Sequence, residues 1–103
     1  WRVLVSPYGE ATLWSVRGEA RTLRGEYDLA KTDLRRALEA FESIGHAIGE
    51  TLTLRRMARL EVVSGSSFAA VDQYALVVEQ FRAMGMHSEA DRTEQERRAI
   101  SAE

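Results

Sequence analysis

Glycine recurs in this 103-residue chain at a fixed spacing. At an offset of forty residues, Gly25 falls on Gly65 and Gly45 falls on Gly85. Further pairs at the same offset are Gly9 with Gly49, Ala30 with Ala70 and Phe41 with Phe81. Repetition at such a period is the signature of proteins built from stacked structural units. We therefore expect one domain made of copies of a single unit.

Each period carries the pattern of two helices. Ser6 is a good N-cap and Pro7 suits the first helical position, so a first helix is expected from there to Arg24. After Gly25 a second amphipathic helix follows, and Gly45 supplies its left-handed C-cap. The expected apolar face of this second helix is Ala30, Leu34, Ala37, Leu38 and Phe41. The expected polar face is Lys31, Asp33, Arg35, Arg36, Glu39 and Glu42.

The second period repeats this pattern and a fifth helix follows it. The spacing predicts a helix from about Ala47 to Ser64 and another that ends before Gly85. A fifth helix is predicted from Ser88 to about Ala102, with Ser88 and Asp91 as a capping box. It is the most polar of the five, which suits a terminal cap. The residues left for burial in it are Ala90, Thr93, Ala99 and Ile100.

These patterns divide the chain into units. The expected units are 1–5 as the tail of a preceding unit, 6–45 as the first repeat, 46–85 as the second and 86–103 as the capping helix. Trp1 stands forty residues before Phe41, so the array is already running at the first residue. We therefore expect the 1–103 domain to be part of a longer protein.

Composition excludes several functions. Fourteen basic and sixteen acidic residues give a net charge of −2, which argues against generic nucleic-acid binding. There is no cysteine, and neither His46 nor His87 has a carboxylate at a ligand spacing, so no metal or cofactor is expected. No nucleophile elbow, phosphate-binding glycine loop or HExxH helix occurs, so we expect no enzyme. No stretch is apolar enough for a membrane span, and the composition is compatible with the cytoplasm.

The small residues within the repeat carry a resemblance to a known family. Trp14, Gly18 and Ala30 have the spacing of the large and small residues in a tetratricopeptide repeat. The corresponding residues of the second unit are Leu54, Ala58 and Ala70. The forty-residue period is similar to the longer variant found in bacterial LuxR-type and ATPase-coupled regulators. The resemblance covers about residues 1–90 and implies an all-α, right-handed α-α superhelix of about two hairpins and a capping helix. Another type of stacked helical hairpin stays open.

The resemblance implies a non-catalytic protein-interaction module of a larger cytoplasmic regulatory protein, which binds protein or peptide through its concave face. Carried over by position, the residues that face this groove are Thr12, Ser15, Glu19, Thr22, Arg55, Arg56, Arg59 and Val62. Three arginines within about one turn need a counter-charge. Either a partner carboxylate supplies it, or Glu19 and Glu96 do so from the neighbouring units.

Other functions stay open at this stage. One alternative is a small-ligand or peptide-sensing effector domain of a bacterial transcriptional regulator, in which Arg55 and Arg59 hold an anionic group. A spacer between domains is another. The apolar residues Trp1, Val3, Leu4 and Val5 form either a seam buried against an upstream unit or a dimer surface. We expect self-association through this N-terminal end.

Overall fold

The computed structural model describes residues 6–101, and these form five α-helices without a β-strand. Their bounds are α1 Pro7–Leu23, α2 Tyr27–Ser43, α3 Ala47–Val63, α4 Ser67–Ala83 and α5 His87–Ser101. Successive helices thus begin twenty residues apart. The predicted all-α class and the five helices are confirmed. None of the helices in residues 6–101 is both long and apolar enough to cross a membrane.

The same three-residue turn joins each helix to the next. Its glycine has a positive φ in every case: 79° at Gly25, 67° at Gly45, 102° at Gly65 and 75° at Gly85. Glycine adopts this left-handed conformation without steric cost. In the first turn, the amide of Glu26 donates to the carbonyl of Arg21 at 2.9 Å, which closes the end of α1. Four equivalent turns therefore reverse the chain at equal intervals.

The two ends of the array differ in how closely they match the sequence prediction. Ser6 caps α1 as expected, because its Oγ accepts a hydrogen bond from the amide of Gly9 at 3.0 Å. The predicted start of α5 at Ser88 is one residue late, since the helix begins at His87. Ser88 therefore lies in the first turn rather than before it. Ala99, which was expected to be buried, is exposed.

The core is a series of small clusters between adjacent helices. Each helix packs against the next in the chain, and α1 also packs against α3. One cluster holds Ala11, Ala37 and Phe41, another Ala30, Leu34 and Leu60, another Ala58, Ala70 and Tyr74, and another Val77, Val78, Phe81 and Ala90. The molecule is accordingly elongated, with principal extents of 54 × 33 × 18 Å.

Two glycines within helices allow neighbouring helices to approach closely. A Cβ atom at Gly18 would lie 2.6 Å from Cγ of Leu34, and one at Gly49 would lie 2.3 Å from Cδ1 of Phe41. Neither distance is possible for a real side chain. The lack of a side chain at Gly18 and Gly49 therefore lets the neighbouring helix lie close at each point.

Asp33 corrects the predicted polar face of α2. Its side chain is buried, with 1% of the residue exposed. Arg17 donates two hydrogen bonds to this carboxylate, at 2.9 and 2.8 Å, and Arg21 donates a third at 2.8 Å. The bonds from Arg17 hold the pKa of Asp33 below its ordinary value of 3.8, against the opposing effect of burial. The carboxylate is therefore part of the α1–α2 interface.

Because its pKa is lowered in the folded state, Asp33 stabilises the fold above pH 3.8 and loses this contribution as the pH falls through the folded pKa. We expect Asp33→Asn to reduce the loss of unfolding free energy between pH 7 and pH 3. Urea denaturation at a series of pH values measures this loss. Asp28→Asn, which removes a charge from an exposed position of α2, is the control. An unchanged pH dependence in Asp33→Asn would contradict the assignment.

Candidate functional site: the face formed by α1, α3 and α5

A charged cluster of four residues, Glu19, Arg56, Arg59 and Glu96, joins the three odd-numbered helices. Arg56 of α3 donates to Glu19 of α1 at 2.8 Å. Arg59 donates to Glu96 of α5, at 3.1 Å from its Nε, and its Nη1 lies 3.6 Å from Glu19. The sequence left two sources of counter-charge open, a partner carboxylate or Glu19 and Glu96 of the chain itself. The structure shows the pairing with Glu19 and Glu96. Arg56 and Arg59 are paired without a partner molecule.

The cluster holds two acids and two arginines, and the pairing of Glu96 with Arg59 shifts the pKa of both groups. Burial raises the pKa of Glu96, but the hydrogen bond and charge of Arg59 outweigh it, so the pKa lies below the ordinary range. The Glu96 carboxylate also holds the pKa of Arg59 above its ordinary value. Burial raises the pKa of the neighbouring Tyr74 hydroxyl, which therefore stays protonated. Glu96 and Arg59 are therefore both charged near neutral pH.

Arg55 does not belong to this cluster. Its Nη1 donates to Glu89 at 2.7 Å, and its guanidinium lies 5.5 Å from the centroid of the Phe81 ring. Only 14% of its side chain is exposed. In the structure, Arg55 and Arg59 thus pair with different acids in different packing environments.

Two polar residues of α1 that were expected to face a partner are instead buried. Ser15 is 1% exposed, lies 3.1 Å from the hydroxyl of Thr53 and accepts a hydrogen bond from Arg56 at 2.7 Å. Thr22 is 8% exposed and donates to the carbonyl of Gly18 at 2.8 Å. Both hydroxyls already have hydrogen-bond partners within the protein, so neither needs one from a partner molecule.

Thr12 lies beside a small recess between the beginnings of α1 and α3. The recess has a volume of about 160 Å³ and is also lined by Tyr8 and His46. His46 accepts a hydrogen bond from the amide of Gly49 at its Nδ1, at 2.9 Å, and so caps α3. The hydroxyl of Thr12 is buried and has no hydrogen-bond partner among residues 6–101. The hydrogen bond from Gly49 gives His46 a capping role that the sequence did not indicate.

A larger cavity, which we call the apolar cavity, opens between the C-terminal halves of α1, α3 and α5. Its volume is about 430 Å³. Its apolar walls are Leu23, Val62, Val63, Ala99 and Ile100, and the charged cluster, Thr22 and Tyr74 complete the lining. Leu23 is 83% exposed and Val63 is 53% exposed, so large apolar side chains stand at the surface beside the opening. This volume falls in the range typical of small-molecule and side-chain binding pockets.

Comparison with known protein families, curated proteins and solved structures finds no match for this chain. The site is therefore interpreted from its own geometry. Of the predicted groove residues, Glu19, Thr22, Arg56, Arg59 and Val62 line the apolar cavity. Sequence reasoning missed Leu23 and Val63, although their separation of forty residues could have indicated equivalent helix ends.

A second apolar surface lies on α1. Leu13 is 59% exposed, whereas Thr53 and Thr93, at the same place in α3 and α5, are completely buried. Val16 is 50% exposed on the same helix. This position is thus buried in α3 and α5 but exposed in α1. The predicted self-association residues Trp1, Val3, Leu4 and Val5 lie outside the described residues.

Proposed function

We propose that this chain is a tetratricopeptide-like superhelical array that serves as a protein-interaction module of a larger cytoplasmic regulatory protein. The equal spacing of its helices and the close approach of α1 to α2 at Gly18 support a stacked-hairpin architecture. The absence of cysteine is compatible with a reducing compartment. In this role the array recruits a partner, and other domains of the parent protein act on the result.

The apolar cavity is the observation that carries this proposal. A partner helix or extended segment inserts one or two apolar side chains between Leu23, Val63 and Ile100, and this burial supplies most of the binding energy. The charged cluster forms a neutral, already satisfied part of the lining, so the partner needs no carboxylate to neutralise Arg56 or Arg59. The proposed recognition is thus mainly apolar, in contrast to the ionic recognition that the arginines suggested in the sequence.

A peptide-display selection on the immobilised domain tests this function. We expect peptides with apolar anchor residues to be enriched, and the double substitution Leu23→Glu/Val63→Glu to weaken their binding by about tenfold or more, since apolar anchors dominate such interfaces. Both residues are largely exposed, so the fold should tolerate the change. Isothermal titration calorimetry with the enriched peptides measures the effect.

The matched control is Leu13→Glu/Val16→Glu, which places two charges on exposed apolar positions of α1 away from the apolar cavity. This control should bind the peptides as the unaltered domain does. Equal binding by the cavity variant and the unaltered domain would remove the apolar cavity from the proposal.

The size of the apolar cavity also favours a second candidate, the sensing of a small apolar ligand. Such a ligand would contact α1, α3 and α5 together and so bias the packing of the two hairpins. A thermal-shift screen with small apolar compounds tests this, because a ligand that binds only the folded state raises its melting temperature. The small-ligand candidate predicts a shift that Leu23→Glu/Val63→Glu abolishes. Peptide binding without any such shift favours the interaction module.

A further inference from the structure

The outward surfaces of α2 and α4 differ sharply, although the two helices occupy equivalent places in the repeat. The exposed surface of α2 includes Lys31, Arg35, Arg36 and Glu39. Forty residues later, the same places hold Val71, Ala75, Leu76 and Glu79. Phe68, at the start of α4, is 92% exposed, and Leu76 is 46% exposed. The outward surface of α4 is therefore more apolar than that of α2, and Phe68 is its most exposed apolar side chain.

Charged residues lie along the same surface of α4, which we call the α4 face and define by Phe68, Asp72, Ala75, Leu76, Glu79 and Arg82. Asp72 and Arg82 are both exposed. Neither takes part in any ion pair formed among residues 6–101. They are ten residues apart, which corresponds to about 15 Å along a helix. The α4 face thus carries opposite, uncompensated charges toward its two ends.

The groups near Arg82 do not already satisfy it. Arg82 lies beside a recess that Glu79, Glu94 and Arg97 also line. Glu94 accepts hydrogen bonds from Arg97 and Arg98, and the bond from Arg97 lowers the pKa of Glu94 to about 2. Glu94 is therefore already paired with two arginines of its own helix, α5. Arg82 keeps donors free for another acid.

We propose that the α4 face binds the α4 face of a second copy of this chain, with the two helices antiparallel about a two-fold axis level with residue 77. In this register Asp72 of each copy lies level with Arg82 of the other, and Phe68 lies level with Met86 of the other. Glu79 lies level with Ala75 of the other copy, so it meets no acid directly. The two Phe68 rings then flank two symmetric ion pairs.

Charge complementarity selects this occupant and this register. A parallel arrangement would place Asp72 against Asp72 and Arg82 against Arg82. An antiparallel arrangement shifted to the level between residues 75 and 76 would place Asp72 against Glu79. A pairing centred between residues 80 and 81 would bring Arg82 to Glu79 but leave Asp72 beyond the end of the other copy's α4. Among these arrangements, the antiparallel pairing centred at residue 77 gives both Asp72 and Arg82 an opposite charge.

This contact is independent of the proposed function. Tyr74 lines the apolar cavity from a different side of α4 than Phe68 and Asp72 occupy. A two-fold dimer through the α4 face therefore leaves both apolar cavities accessible. The assembly would present two binding sites to one partner, which strengthens binding to a partner with two matching segments.

Exchanging the charges at positions 72 and 82 tests the proposal. Sedimentation equilibrium over a concentration series should show a reversible dimer of the unaltered chain. We expect Asp72→Arg and Arg82→Asp each to weaken dimerisation by about tenfold or more, since each creates two like-charge contacts. The double variant Asp72→Arg/Arg82→Asp should restore it to within about threefold, because the opposite charges then meet again. Phe68→Ser should also weaken the dimer.

Thr32→Arg provides the matched control, because Thr32 is the exposed residue of α2 at the place of Asp72. It should leave dimerisation unchanged, and circular dichroism should show the same helix content in every variant. A chain that stays monomeric throughout, or a double variant as weak as the single ones, would overturn the proposal. A dimer that responds to Leu13→Glu and not to the α4 charges would overturn it as well, and would place the contact on α1.

Discussion

Replacement of Phe81 by alanine is expected to lower the free energy of unfolding by about 3–5 kcal/mol, the usual range for truncation of a buried phenylalanine. Phe81 is completely buried in the cluster with Val77, Val78 and Ala90. The guanidinium of Arg55 also lies over its ring. Truncation therefore removes apolar burial, leaves a cavity between α4 and α5, and takes away the surface on which Arg55 rests.

Chemical denaturation at concentrations where the chain is monomeric measures this loss. Phe68→Ala is the matched control, because it makes the same chemical change at a side chain that is 92% exposed. We expect its effect to stay within about 0.5 kcal/mol, as for most surface substitutions. Similar losses for both variants would contradict the described packing of α4.

A single methyl group at Gly49 should produce the second large effect. In an isolated helix, alanine is favoured over glycine by about 1 kcal/mol. Here the added Cβ would lie 2.3 Å from Cδ1 of Phe41, whose ring is 4% exposed and has little room to move. Overpacking of this kind typically costs about 1–3 kcal/mol. We therefore expect Gly49→Ala to destabilise the fold despite its better helix propensity.

A double-mutant cycle with Phe41→Leu separates the steric effect from the others. If the clash is the cause, the loss caused by Gly49→Ala should be smaller in the Phe41→Leu background. Thermal or urea denaturation of the four proteins gives the coupling energy. Additive losses, or stabilisation by Gly49→Ala alone, would show that α2 and α3 are not in close contact at this point.

The helices of this fold could be predicted from the sequence because capping residues and turn glycines mark where they begin and end. Gly25 and Gly45 adopt the left-handed conformation that their spacing indicated, and Ser6 with Pro7 starts α1 as a capping residue and a proline should. The predicted start of α5 was one residue late, because Ser88 is a good N-cap in sequence terms whereas the helix begins at His87.

Asp33 could not be placed from the pattern of α2 alone. Helical periodicity puts a charged residue on the solvent side by default. Its burial depends on Arg17 and Arg21, which lie on another helix and supply three hydrogen bonds to it. A salt-bridge arrangement between two helices becomes visible only once their relative rotation is known.

The candidate site was predictable in part. The forty-residue offset pointed to Glu19 and Glu96 as internal counter-charges, and the structure pairs them with Arg56 and Arg59. The apolar cavity was not predictable, because it depends on how far three helix ends diverge and on the directions of Leu23 and Val63. Neither quantity follows from side-chain periodicity.

The apolar cavity connects the two terminal helices of a fold that can otherwise unfold locally from either end. Most contacts in this fold join helices that are adjacent in the chain, so α1 and α5 can fray separately while the middle stays folded. The cavity walls, however, come from residues as far apart as Leu23 and Ile100. A molecule bound in the cavity would therefore hold α1 and α5 together. Slower amide hydrogen exchange in both of these helices at once would show that it is bound.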